Sequence, residues 1–127
     1  MIEFFMDMQV PTTTHQQKQV NFKTKRFYED DKLKAARSKL MAHLGQHVPK
    51  EKYTSAVRLT TWWCFGSKTK KDGTYKTTRP DLDNLQKLLL DCMTKCVYWT
   101  DDALVVSMVV EKYWSKRPGI YVKVEEL

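Results

Sequence analysis

The stretch Arg79–Trp114 reads RPDLDNLQKLLLDCMTKCVYWTDDALVVSMVVEKYW, and its hydrophobic period changes once along its length. From Leu82 the apolar residues Leu82, Leu85, Leu89, Cys92, Met93 and Cys96 recur every three or four positions. That spacing predicts an amphipathic helix from about Leu82 to Cys96, with one stripe turned to a core. Pro80 stands just ahead of it, where a new element begins. Past the acidic pair Asp101-Asp102 the chain turns rich in valine, and Ala103–Trp114 reads as a strand.

Working outward, Tyr53–Phe65 is rich in Thr, Val and Trp and reads as a strand that Gly66 ends. Ile120–Glu125 reads as a further strand, reached by a turn around Ser115–Gly119. Upstream, Tyr28–Leu44 has the helical period in Leu33, Ala36, Arg37, Leu40, Met41 and Leu44, with Gly45 as its stop. Ile2–Val10 alternates as a strand, and Pro11 and the polar Thr12–Gln19 loop end it. The order β-α-β-α-β-β predicts an α+β fold: one domain over residues 1–127, a mixed sheet with helices on one face. A chain of 127 residues, 42% apolar, has the material for one core and not for two domains of ordinary size. That content excludes a disordered chain. No apolar run approaches the roughly 20 residues of a membrane span. MIEFFMDMQVP carries acids inside its apolar stretch and does not read as a signal peptide. Three cysteines, an odd number, predict free thiols in a reducing, cytoplasmic setting.

Charge sharpens the reading. Twenty-two Lys and Arg against 15 Asp and Glu leave +7. The excess is clustered: Ser67–Arg79 holds Lys68, Lys70, Lys71, Lys76 and Arg79 against the single Asp72, and Lys18, Lys23, Lys25 and Arg26 form a second set. Such patches suit a polyanion. Acids instead collect between Asp81 and Asp102. Carboxylates held beside a negative partner are unfavourable unless a cation sits between them.

Asp83, Lys87 and Asp91 fall at i, i+4 and i+8, on one ridge of the helix. A purely structural role is open to each: Asp83 as the helix cap, Lys87 as its salt-bridge partner, Asp91 as a solvated acid, Asp101 and Asp102 as a polar turn. Yet one cap residue suffices, and Asp81 adds a second acid two positions away. Carboxylate pairs at a helix start and at a strand entrance can converge on one hard cation, as Mg²⁺ prefers oxygen ligands.

The run Arg79-Pro80-Asp81-Leu82-Asp83-Asn84-Leu85-Gln86-Lys87, then Leu90-Asp91, then Trp99-Thr100-Asp101-Asp102-Ala103-Leu104-Val105-Val106, closely resembles the RusA family of Holliday junction resolvases. The resemblance is strong over Arg79–Val106 and looser over the rest. It implies a small, homodimeric, Mg²⁺-dependent endonuclease, phage- or bacterium-encoded, that nicks four-way DNA junctions symmetrically; Mn²⁺ is expected to substitute. By resemblance Asp81, Asp83 and Asp102 are the metal-binding and catalytic carboxylates, Lys87 the essential lysine, and Asp101 and Asp91 supporting acids. Three departures stand out: Val97, where the family often has glycine; Leu104, where it often has a polar residue; and Thr12-Thr13-Thr14-His15 after Pro11, which is not a close match.

The chemistry asked of such a site is consistent. Hydrolysing a phosphodiester needs an activated water in line with the leaving oxygen and neutralisation of growing phosphate charge, which a carboxylate-held Mg²⁺ supplies. Lys87 adds an ammonium near that charge. The two basic sets would bind phosphates without reading sequence. Trp62, Trp63, Tyr98 and Trp99 could stack on unpaired bases, though Trp62 and Trp63 alternate across a strand, so that one belongs to the core. Rival readings are a nuclease of flaps or other branched DNA, a non-catalytic DNA-binding protein, and a zinc module built on His43/His47 and Cys92/Cys96.

Overall fold

The computed structural model describes residues 1–12, 18–21, 26–29 and 31–127. Its elements run β1 (Ile2–Asp7), β2 (Lys18–Asn21), β3 (Arg26–Glu29), α1 (Asp31–Leu44), β4 (Val57–Gly66), α2 (Leu82–Lys95), a 3₁₀ turn (Asp102–Leu104), β5 (Val105–Ser115) and β6 (Gly119–Glu126). Four strands form one mixed sheet in the order β1-β6-β4-β5, in which β4 and β5 are parallel and the other neighbours antiparallel. The expected α+β architecture is present, with one addition. An antiparallel hairpin, β2–β3, precedes α1. The helix accordingly starts at Asp31, not Tyr28: Arg26-Phe27-Tyr28 carries strand-forming aromatics, and Asp31 places an acid in the first turn, where the helix dipole favours it. Of the expected Thr12–Gln19 loop, residues 13–17 lie outside the described residues and Lys18 and Gln19 belong instead to β2; Lys23 and Lys25 also lie outside the described residues.

The core lies between one sheet face and the helices. Leu59, Thr61, Trp63 and Phe65 alternate along β4 onto that face, and all are buried. From α2, Gln86 reaches into them: Thr61 Oγ1 donates to Gln86 Oε1 at 3.0 Å and Trp63 Nε1 donates to the same oxygen at 3.4 Å. This pins α2 to the sheet, and α1 closes the layer with Leu33, Leu40 and Leu44 buried. After α2 the chain is fixed again. Tyr53 N–H donates to the Tyr98 carbonyl at 2.9 Å, Thr100 N–H to the Tyr53 carbonyl at 3.2 Å, and Tyr98 Oη to the Leu44 carbonyl at 2.6 Å.

Trp63, Tyr98 and Trp99 are therefore core residues, and of the four aromatic candidates for base stacking only Trp62 is open to solvent. On the opposite sheet face its ring packs against Tyr121 and Tyr113, with centroids 4.4 and 6.2 Å away. The three cysteines are free, as expected. Cys92 is buried, and burial pushes its thiol up to about 11. A ligand thiolate is disfavoured there. His47 is stacked on Phe4.

Candidate active site

Asp81 is the residue that caps α2 by position, with extended φ and ψ, and its carbonyl accepts from Leu85 N–H at 3.1 Å. Its carboxylate makes no cap hydrogen bond. Asp83 lies inside the first turn, so it is not the cap either. Both side chains are exposed. Among the described residues neither has a hydrogen bond or an ion pair. Lys87, also exposed, makes no salt bridge to Asp83 or Asp91; Asp91 lies 3.5 Å from Arg37 of α1 instead. The purely structural roles open to Asp83 and Lys87 are thus not taken up, and two acids and one ammonium stand unspent along the start of α2.

The other acidic pair divides its labour. Asp101 caps the 3₁₀ turn, with Oδ1 accepting from Ala103 N–H at 2.9 Å. Asp102 is exposed, and its carboxyl is held above the ordinary value by partial desolvation, then by its hydrogen bond with Asp101 and the charges of Asp101 and Asp91.

The two sets lie at opposite ends of the sheet. Asp83 and Asp91 are eight residues apart on α2, about 12 Å along its axis. Asp102 feels the charge of Asp91 and stands just ahead of Val105, which pairs with Val57 at the beginning of β4. Asp81 follows Pro80, whose carbonyl accepts from Lys112 Nζ at 2.9 Å, and Lys112 pairs with Trp63 toward the end of β4. The seven steps from Val105 to Lys112 span roughly 23 Å. Within one chain the structure sets Asp81 with Asp83, and Asp102 with Asp101, but does not bring the three proposed ligands together. Among the described residues no group of three or more His, Cys, Asp or Glu side chains is gathered as a metal cage.

The basic loop is better ordered than its composition suggests. Ser67 Oγ accepts from the N–H groups of Thr69 and Lys70 at 3.2 and 3.0 Å. Residues 73–76 then line the edge of β5: Gly73 N–H donates to the Trp114 carbonyl, Trp114 N–H to that of Thr74, and Lys76 N–H to that of Lys112, at 2.8, 2.8 and 3.1 Å. Lys68, Lys70, Lys71 and Arg79 are exposed. Lys76 departs from the phosphate-contact expectation: it is 8% exposed, lies over the Phe65 and Trp114 rings, and donates to Thr78 Oγ1 and, at 2.6 Å, to the Arg79 carbonyl. Burial, then the charge of Lys112, lowers its pKa. Lys112 donates to the carbonyls of Thr78 and Pro80 at 2.7 and 2.9 Å. These two lysines hold the segment that delivers Asp81, a role that no charge pattern distinguishes from surface lysines. Lys18 and Arg26 fall on β2 and β3.

Among the described residues no helix is long and apolar enough to cross a membrane. Residues 9–125 match the family described as Endodeoxyribonuclease RusA. A crossover junction endodeoxyribonuclease of Lactococcus phage r1t is 32% identical over 128 residues, covering 98% of each chain. A crossover junction endodeoxyribonuclease RusA of Escherichia coli O139:H28 (strain E24377A / ETEC) is 56% identical over 34 residues, 27% of this chain and 28% of that one. YqaN of Bacillus subtilis (strain 168) is 36% identical over 66 residues, 48% of this chain and 46% of that one. With a match that spans nearly the whole chain and a full-length relative, the protein belongs to the RusA family of endodeoxyribonucleases.

Proposed function

We propose that the protein is a divalent-cation-dependent endonuclease of four-way DNA junctions, working as a homodimer in which each site takes Asp81, Asp83 and Lys87 from one copy and Asp102 from the other. The observation that carries this reading is the pair Asp81 and Asp83: two exposed carboxylates that serve no capping role, at the end of a loop bearing Lys68, Lys70, Lys71 and Arg79. Such repulsion is tolerable where a cation and a phosphate come between the acids. The crossover-junction name of the phage relative supports the choice of substrate.

The donor set is oxygen only, which suits a hard cation, Mg²⁺ or Mn²⁺, over zinc. The split between Asp81/Asp83 and Asp102 fits such an ion where two chains meet. When bound, the cation would supply Lewis-acid polarisation of the phosphoryl oxygen and acidification of water. The protein's own groups do the rest. Asp81 and Asp83 bind and orient; Lys87, one turn on from Asp83, sets a positive charge against that growing on the phosphate. Lys68, Lys70, Lys71 and Arg79 hold a duplex arm by its phosphates, which positions DNA without reading sequence. Lys76 and Lys112 keep residues 78–80 in place.

The test compares a four-way junction, a flap and a linear duplex of shared sequence with Mg²⁺. Symmetric nicks confined to the junction are expected; equal cutting of all three overturns the resolvase reading, and preference for the flap reassigns the substrate. Site sharing has its own test. Asp83→Asn and Asp102→Asn should each be inactive, yet their equimolar mixture should regain single-strand nicking, because a mixed dimer holds one site with every carboxylate intact. A mixture as dead as its components would place the whole site in one chain.

A further inference from the structure

Gln86 stands one residue before Lys87 and three after Asp83, yet it is 4% exposed and touches none of the groups assigned to the chemistry. Around it, Leu85, Leu88, Leu89, Cys92 and Met93 of α2 are fully buried. Apolar burial holds a helix against a sheet without direction, whereas hydrogen bonds have one. Gln86 supplies the direction. Its Oε1 accepts from Thr61 Oγ1 at 3.0 Å and from Trp63 Nε1 at 3.4 Å, both on β4, and its Nε2 donates to Met108 Sδ on β5 at 3.6 Å. An indole N–H only donates and a thioether sulfur only accepts, so the amide fits one way round. Thr61 and Trp63 are fully buried and cannot exchange this partner for water. One side chain thus ties the first half of α2 to two neighbouring strands at three points.

We propose that Gln86 is a positioning residue for Asp83 and Lys87: it fixes the rotation of α2 about its own axis, and with it the direction in which the carboxylate and the ammonium point. At 3.6 residues per turn, Asp83 and Lys87 lie about 40° apart around the helix, and Gln86 falls about 60° to the other side of Asp83. The anchor and the two groups it aims therefore share a single turn. A side-chain tip ~6 Å from the axis moves about 1 Å when the helix rotates by ~10°. Misplacing a reacting group by that much can cost about 100-fold in rate. Lys87 meets charge that grows on the phosphate in the transition state, so the loss falls on the rate and not on DNA affinity. The inference rests on the roles proposed above for Asp83 and Lys87, and adds to them a residue that touches neither DNA nor cation.

Two variants separate positioning from stability. Gln86→Met keeps the side chain's length but leaves the Thr61 hydroxyl and the Trp63 N–H without their acceptor. Thr61→Val combined with Gln86→Met removes the orphaned hydroxyl too, and should recover most of the lost stability, since losing both partners is less costly than losing one. Each protein is followed by urea unfolding, by junction affinity without divalent cation, and by single-turnover nicking of a four-way junction with Mg²⁺ at saturating protein. Both variants should nick roughly 10–100-fold more slowly than the unmodified protein. Junction affinity should stay within about 3-fold. In a Lys87→Ala background the loss from Gln86→Met should shrink, because one of the groups it aims is gone. A rate that returns with stability in the double variant, or a loss of equal size with and without Lys87, would make Gln86 an ordinary core residue. So would an affinity that falls as far as the rate. If Gln86→Met does not fold, the double variant carries the comparison; if neither folds, apolar burial alone does not hold α2 on the sheet and the proposal is overturned. An unmodified protein that cuts no branched DNA would end the functional reading beneath the proposal, and the proposal with it.

Discussion

Val97 has φ of 64°, in the left-handed region, and it is β-branched. The cause is local. α2 ends in a Schellman arrangement, with Val97 N–H donating to the Thr94 carbonyl at 3.0 Å and Tyr98 N–H to that of Met93 at 3.1 Å. The position after the cap must then be left-handed, which costs an L-residue roughly 1–2 kcal/mol. Val97 is 51% exposed, so its side chain returns little burial energy. Val97→Gly should remove the strain while adding back roughly 0.5–1 kcal/mol of unfolded-state entropy. The net expectation is a stabilisation of about 0.5–1 kcal/mol. With an unfolding entropy near 2.1 cal/mol/K per residue, that amounts to a rise of about 2–4 °C in Tm. Val97→Ala keeps most of the strain and should move Tm far less. The assay is paired thermal and urea unfolding of the three proteins. A Val97→Gly protein no more stable than Val97→Ala would refute the reasoning, because strain at the turn would then contribute nothing measurable.

Changing Lys68, Lys70 and Lys71 to Gln together should flatten the plot of log K against log[salt] by up to ~2.7, at ~0.9 per phosphate contact. Nicking at saturating protein should survive, and an unchanged slope would show that the three lysines touch no DNA. Lys87→Ala should lower the single-turnover rate far more than junction affinity, since its contact strengthens as charge develops; equal losses would make it an ordinary anchor. Lys112→Met should cost on the order of 1–2 kcal/mol of stability and slow nicking while leaving the salt slope alone, because its ammonium holds Thr78 and Pro80 and not DNA. Asp7 is held below its ordinary 3.8 chiefly by the hydrogen bond from Arg117. That stabilisation is complete above 3.8 and is lost as pH falls through the depressed value. Arg117→Ala should therefore flatten the acid limb of Tm against pH, and an acid limb of unchanged slope would mean the pair is energetically idle.

The parts of the fold written as local pattern were legible. The stripe Leu82–Cys96, the break at Pro80 and the valine run after Asp102 state their elements directly, and the structure has them. The hairpin β2–β3 was not, because the helix read from the spacing of Leu33 through Leu44 was carried back to Tyr28, a residue that suits a strand as well. Which lysines face outward was not legible either. Lys70 and Lys76 look alike in sequence, and only the Phe65 and Trp114 rings under Lys76 separate them. The cap was ambiguous for a physical reason: an acid is welcome both at the cap and in the first turn, so Asp81 and Asp83 could exchange roles until backbone geometry placed one before the helix and one inside it.

The separation of the acids has the same geometric origin. A 14-residue helix is about 21 Å long. Between two parallel neighbouring strands a crossover helix must carry the chain back along the sheet, so the residues on its two flanks lie at opposite ends. Asp81 and Asp102 flank α2 closely on either side. No side-chain rotation within one chain spans such a gap. Either the two acidic sets serve different purposes, or an antiparallel second chain closes the distance. The second outcome is geometrically direct, because an antiparallel copy inverts the ends. A family motif with conspicuous regularity in sequence can therefore describe a site that one folded chain does not contain.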